Sequence, residues 1–226
     1  MGYESPMPVQ EEVIPFLLGD DNDVIALAQT GTGKTAAFGL PILQKIDVTT
    51  YHPQALVLCP TRELCLQIAD DLNDYSKYID NLKVLPVYGG SSIESQIKTL
   101  KRGVHVVVAT PGRLLDLMNR KTVDLSLVKN VIMDEADEML NMGFTDSINA
   151  ILAEVPENRN MLLFSATMPK EIANITKKYM KNPKEIVIGN KNEGNKNIRD
   201  IYYMVQARDK YLALKRIADF YPNIYG

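Results

Sequence analysis

Residues 28–35 read Ala-Gln-Thr-Gly-Thr-Gly-Lys-Thr, and much further along comes Met133-Asp134-Glu135-Ala136-Asp137. The first stretch follows the apolar run Val24-Ile25-Ala26-Leu27 and leads into a helical pattern. A glycine-rich loop therefore joins a strand end to a helix N-terminus. The first N–H groups of a helix have no intrahelical acceptor, and the helix dipole favours negative charge beside them, so the loop suits phosphate. Lys34 adds a mobile cation for β- and γ-phosphates, and the Thr35 hydroxyl is placed to ligate Mg²⁺. Ala28 stands where the strict phosphate-loop pattern has glycine. A glycine-rich turn without a ligand accounts for the glycines, but not for Lys34-Thr35 behind them.

The acidic stretch follows Val128-Lys129-Asn130-Val131-Ile132-Met133, a buried-strand pattern, which puts Asp134 and Glu135 at a strand's carboxyl end. In open α/β sheets ligands bind at that edge. One carboxylate there can hold Mg²⁺ through its waters while the other positions or deprotonates an attacking water. By itself an acidic tetrapeptide is equally a good helix start. Its position after a phosphate loop, on a second strand of the same sheet, favours chemistry.

The chain has 226 residues, 46% of them hydrophobic, enough to bury a sizeable core. Met1-Gly2-Tyr3-Glu4-Ser5 lacks the basic region and apolar stretch of a signal peptide. No apolar run approaches the ~18 residues of a membrane span, so no membrane association is expected. Cys59 and Cys65 have no partners at metal-ligand spacing and read as reduced thiols of a cytosolic protein. The net charge of −3 argues against a broad electrostatic footprint for nucleic acid, so any such binding must use local contacts.

The elements that must position these groups alternate along the chain. Short Val/Ile/Leu-rich strands are expected at 24–28, 55–59, 84–88, 104–109, 131–134, 161–164 and 185–188. Helices are expected between them at 34–46, 63–78, 93–101, 114–119, 144–153 and 170–180. This order predicts a doubly wound, mostly parallel α/β sheet with helices on both faces. A domain over 1–189 is then followed by a polar linker at 190–197, and 198–226 starts a second unit with a strand at 198–206 and a helix at 210–221. That is too short for a domain, and the chain reads as cut soon after a second domain begins.

Further stretches fall at the strand ends. Pro60-Thr61-Arg62-Glu63-Leu64, Gly89-Gly90-Ser91 and Thr110-Pro111-Gly112-Arg113 each follow one strand. They offer free helix N–H groups, hydroxyls or arginines along one edge, a row that can grip successive phosphates of a nucleic-acid backbone without reading bases. Singly, each has a plainer account, with Thr61 and Thr110 as helix caps and Arg62 and Arg113 as solvated or ion-paired charges.

The set from Gly2 to Gln10 (Gly-Tyr-Glu-Ser-Pro-Met-Pro-Val-Gln), with 28–35, 60–64, Gly89-Gly90, 110–113, 134–137 and Ser165-Ala166-Thr167 in this order, resembles the N-terminal RecA-like domain of a DEAD-box RNA helicase. The resemblance covers residues 1–190 and extends into 198–221, which is similar to the entry of that family's second RecA-like domain. It implies an ATP-dependent RNA helicase, an RNA-stimulated ATPase using ATP and Mg²⁺. Gln10 would bond the adenine edge, and Gln29, Thr30, Gly31, Thr32, Gly33, Lys34 and Thr35 would complete the nucleotide site. Lys34, Asp134 and Glu135 would be catalytic, with Thr35 and Asp134 holding the metal. Pro60, Thr61, Arg62, Gly89, Gly90, Thr110, Gly112 and Arg113 would contact RNA. Ser165 and Thr167 would couple nucleotide state to RNA grip through hydrogen bonds to the acidic motif. The implied partners are RNA and a second RecA-like domain of the same protein, which is expected to be a cytoplasmic monomer.

Two features depart from the family pattern. Met7 stands where the family usually has threonine. The family's adenine-stacking aromatic would precede Met1, and the arginines that complete the ATP site across the cleft would follow Gly226. An arginine of that kind is worth ~10³–10⁵ in turnover. The chain by itself is therefore expected to bind nucleotide weakly and to turn over hardly at all. A DNA-translocating motor, a nucleotide kinase and a non-catalytic RNA- or protein-binding module remain as other readings, although nothing in the sequence suggests a kinase's phosphoacceptor pocket.

Overall fold

The computed structural model describes residues 4–19, 22–188 and 201–221. By their contacts two units separate, Met1–Asn192 and Glu193–Gly226. Within the first, seven strands form one sheet: β1 (Val24–Leu27), β2 (Ala55–Leu58), β3 (Val84–Val87), β4 (Val106–Ala109), β5 (Asn130–Met133), β6 (Asn160–Ser165) and β7 (Lys184–Val187). Their order is β3-β4-β2-β5-β6-β1-β7, and every pairing is parallel.

The sequence explains this layout. Strands such as Val-Ile-Ala-Leu and Val-Val-Val-Ala are buried at every position, so one strand must feed two cores. Ile25, Leu27, Leu56, Leu58, Val131 and Met133 face one core; Val24, Ala26, Ala55, Val57 and Ile132 face the other. The first core is roofed by α4 (Ile93–Lys101), α5 (Pro111–Asn119), α6 (Ala136–Asn141), α7 (Thr145–Glu154) and α8 (Lys170–Tyr179). The second lies under α1 (Pro8–Gly19), α2 (Lys34–Gln44) and α3 (Arg62–Tyr75). There Phe38 of α2 meets Phe164 of β6 in a tilted ring pair with centroids 5.3 Å apart.

All seven expected strands form, with ends shifted by a residue or two. Two helices were not expected. Helix α1 carries Pro8 at its start and Pro15 inside, residues that read as loop signals; Pro8 needs no N–H at a helix start. Helix α6 is short and begins directly at the acidic motif. In the second unit, a 3₁₀ turn at Ala207–Asp209 leads into α9 (Lys210–Phe220). The strand expected at 198–206 is not found: 201–206 has no regular structure, and 198–200 lie outside the described residues. A strand exists only through hydrogen bonds to a neighbour, and no described segment of this unit supplies one. The linker at 190–197, like Gly2 and Tyr3, also lies outside the described residues. No helix among the described residues is long and apolar enough to cross a membrane.

Pro86 stands in β3, an outer strand of the sheet, where a residue lacking an N–H is tolerated. At the opposite, amino end of the strands, the buried carboxylate of Asp23 accepts from the Met161 N–H at 2.7 Å and from the Lys181 N–H, tying the entries of β6 and β7 to β1. Hydrogen bonds to a charged acceptor are worth about 1.5–3 kcal/mol each, so Asp23→Ala is expected to lower unfolding free energy by at least about 2 kcal/mol in urea titration.

Candidate functional site

Parallel pairing brings the carboxyl ends of β5, β6 and β1 side by side. From the neighbours β1 and β6 the chain departs in opposite directions, through α2 to β2 and through α8 to β7. A crevice opens at such a switch point. Residues 28–35 begin there. The Ala28 N–H still bonds the Ser165 carbonyl at 3.0 Å, after which Gly31 and Gly33 take φ of +76° and +82° and turn the chain into α2. Gly33 is the N-cap, and no described side chain caps the helix, which leaves its first N–H groups facing the loop. Within the loop the Thr32 hydroxyl donates to the Gln29 carbonyl at 2.7 Å. Thr30 and Gly31 are exposed, and Thr35 is half-buried in the first turn of α2.

Gln10 is buried beneath this loop. Its Nε2 donates to the Gly33 carbonyl at 3.2 Å, and its Oε1 accepts from the Met7 N–H at 2.9 Å. One N–H and one lone pair of the amide remain for a purine edge. The Lys34 ammonium is also buried, 3.3 Å from the Ala28 carbonyl and 3.7 Å from Asp134 Oδ1. Asp134 is 3% exposed, and burial pushes its carboxyl above the usual range, with Lys34 pulling the other way.

Glu135 caps α6 at φ +49° and ψ +51°, a left-handed conformation that costs a non-glycine residue about 1 kcal/mol or more. Its N–H donates to Asp134 Oδ1 at 3.0 Å. Burial first, then the neighbouring Asp134 charge, raises the Glu135 carboxyl. Asp137, which sequence reasoning did not single out, reaches back to β6. Its Oδ2 accepts from the Thr167 N–H at 2.9 Å and the Thr167 hydroxyl at 2.8 Å, and its own N–H donates to Ser165 Oγ at 3.3 Å. Ser165 is fully buried.

The other half of the edge, β3-β4-β2, carries the remaining stretches. The Thr61 hydroxyl caps α3 by accepting from the Leu64 N–H at 3.2 Å. The Arg62 guanidinium lies 5.0 Å over the Tyr88 ring, beside Gly90. Pro60 is buried, so Thr61 and Arg62 supply the polar side-chain atoms there. Gly89, Gly90 and Gly112 are exposed. The Thr110 hydroxyl does not cap α5. Arg113 Nη1 is engaged within the protein, donating to the Ser91 carbonyl at 3.1 Å and to Gln96 Oε1 at 3.0 Å. Gln96 was missed by sequence reasoning, although a polar residue between the core-packed Ile93, Ile97 and Leu100 of α4 is a readable signal.

Two outcomes follow from this geometry. A Cβ on Gly33 would lie 2.5 Å from Gln10 Nε2, on a backbone that L residues avoid. Gly33→Ala is expected to cost about 1–3 kcal/mol, and less in a Gln10→Ala background, as a urea double-mutant cycle would measure. Glu135 titrates higher folded than unfolded, so its ionisation costs folded-state stability as pH rises through that raised value. Glu135→Gln should therefore raise Tm at about pH 8 and lose that advantage below about pH 4.

Comparison with known proteins agrees with this arrangement. A family model described as DEAD/DEAH box helicase matches residues 7–175. The "ATP-dependent RNA helicase DeaD" of Mycobacterium tuberculosis is 50% identical over 222 residues, 98% of this chain and 39% of that protein. The "DEAD-box ATP-dependent RNA helicase CshA" of Bacillus cereus is 48% identical over 219 residues, 97% of this chain and 41% of that protein. The chain thus spans about two fifths of the curated relatives it matches. A solved DEAD box protein from Methanococcus jannaschii superposes with a TM-score of 0.79 at 43% identity, covering 96% of this chain and 58% of that one. The fold is therefore RecA-like, and the chain belongs to the DEAD/DEAH box helicase family.

Proposed function

We propose that this chain is the N-terminal, ATP-binding and RNA-gripping part of an ATP-dependent RNA helicase, spanning a RecA-like domain at 1–189, a linker at 190–197 and the start of a second RecA-like domain at 198–226. The observation that carries the reading is the buried Lys34–Asp134 pair at the end of a glycine loop whose helix N-terminus is left open. In this reading Gln10 holds the adenine edge with its remaining donor and acceptor. The N–H groups of residues 29–35 and the Lys34 ammonium bind the ATP phosphates.

A divalent metal fits the donor set. Asp134 is almost wholly buried, and one lysine does not offset the cost of its charge. Asp134 and the Thr35 hydroxyl would hold Mg²⁺, which supplies charge neutralisation on the phosphates when bound. Glu135, its carboxyl raised by burial and by the neighbouring Asp134 charge, is a better base toward the attacking water than an ordinary carboxylate. Asp137 joins the acidic turn to Ser165 and Thr167, and this is the route by which nucleotide state reaches the RNA row. Thr61, Arg62, Gly89, Gly90, Thr110, Gly112 and Arg113 grip the backbone of one RNA strand, with Pro60 as the buried stop behind Thr61. Closure on a second RecA-like domain of the same protein supplies the remaining catalytic groups and separates the duplex locally. The protein works as a cytoplasmic monomer.

Phosphate release from Mg²⁺-ATP, with and without single-stranded RNA, tests this reading. The chain alone is expected to show little turnover and to bind ADP, and Lys34→Ala is expected to weaken that binding by more than about tenfold. Undiminished ADP binding by Lys34→Ala would remove the assigned site. RNA-stimulated turnover by the chain alone would overturn the role given to the second domain. Equal affinity for RNA and for DNA of the same sequence would favour a general nucleic-acid motor.

A further inference from the structure

Gln96 is buried on the inner face of α4, among Ile93, Ile97 and Leu100. A primary amide in that place is costly unless its donors and acceptor are met. They are met by two different loops. Nε2 donates to the Tyr88 carbonyl at 3.1 Å and to Ser91 Oγ at 2.8 Å, on the turn after β3. Oε1 accepts from Arg113 Nη1 at 3.0 Å, in the first turn of α5 after β4. The same Nη1 donates to the Ser91 carbonyl at 3.1 Å, which closes the circuit. Tyr88 in turn carries the Arg62 guanidinium over its ring, so the chain of contacts reaches the first turn of α3 after β2. One side chain outside the stretches at the strand ends thus joins the ends of three adjacent strands.

We propose that Gln96 is a positioning residue for RNA, holding the Gly89-Gly90 loop, the Thr110–Arg113 turn and Arg62 in one register so that they meet one strand together. The inference rests on the reading of this edge as the RNA-binding row. Contacts to a single-stranded backbone are individually weak, and they act jointly only when their spacing is held by the residues behind them. Arg113 is central to this device: with Nη1 turned inward, it is a strut as well as a cation.

Gln96→Leu keeps the size and apolar packing of the side chain but removes both donor and acceptor. Gln96→Glu keeps the pairing with Arg113 and loses donation to the Tyr88 carbonyl. Binding of a labelled single-stranded uridine oligomer, by fluorescence anisotropy on the full chain, is compared with ADP titration. Gln96→Leu is expected to weaken RNA binding about tenfold while ADP affinity stays within about twofold; Gln96→Glu recovers to within about threefold of the parent. The amides of residues 88–91 and of Thr110, Gly112 and Arg113 should exchange hydrogen faster in Gln96→Leu. RNA affinity equal to the parent's, or a parallel loss of ADP affinity, overturns the inference. If Gln96→Leu does not fold, Gln96→Ala carries the test on the same two ligands, and RNA affinity equal to the parent's overturns the inference. A parent chain that binds no uridine oligomer overturns instead the reading of the edge beneath it.

Discussion

Parallel pairing sends every strand's carboxyl end to the same edge, and the placement of the polar groups on the loops after the strands follows from it. A parallel strand needs a crossover helix to return, so each strand end is also close to a helix N-terminus. Six of the seven strands, β1 to β6, lead into such a helix, and their ends make an edge rich in unpaired N–H groups before any side chain is chosen. The sequence then differentiates the row. Toward β1 it places glycines, a lysine and carboxylates; toward β3 it places glycines, hydroxyls and arginines. The halves meet near the centre of the sheet, where β5 and β2 are neighbours.

Burial sets the electrostatics of the first half. Lys34 and Asp134 are each held almost out of water, within 4 Å of one another, and Lys34 does not fully offset the burial of the Asp134 carboxyl. Taking charges out of solvent costs several kcal/mol per ion, a cost that mutual attraction offsets only with good geometry and further hydrogen bonds. The strain at Glu135 belongs to the same economy of position: the left-handed backbone lets the chain leave β5 and enter α6 with no intervening loop.

Most of the framework was legible in the sequence because strands buried on both faces leave unmistakable runs, as at Val106–Ala109 and Val24–Leu27. The loops after them were legible because glycine, lysine and paired carboxylates have few plainer uses in that order. Helix α1 was hidden by Pro8 and Pro15, whose effect depends on where in a helix they fall. The strand expected at 198–206 failed for a different reason: pattern records a tendency to pair, and pairing needs a neighbour. Gln96 and Tyr88 went unread because each acts on another residue of the chain, and no local spacing announces that; the hydrogen bonds expected between Ser165, Thr167 and the acidic motif fall on Asp137.

Pro86 also governs how the outer strand β3 meets other molecules. The Val106 and Thr110 N–H groups bond the carbonyls of Lys83 and Val87, so odd-numbered residues of this strand face inward to β4. Pro86 therefore falls in the outward phase. No ladder bond is lost by it, and the open rim is short of one donor where another molecule's strand would seek it. Strand addition is thereby disfavoured at the flank that adjoins the Gly89-Gly90 loop, with no described helix laid over the rim to do it.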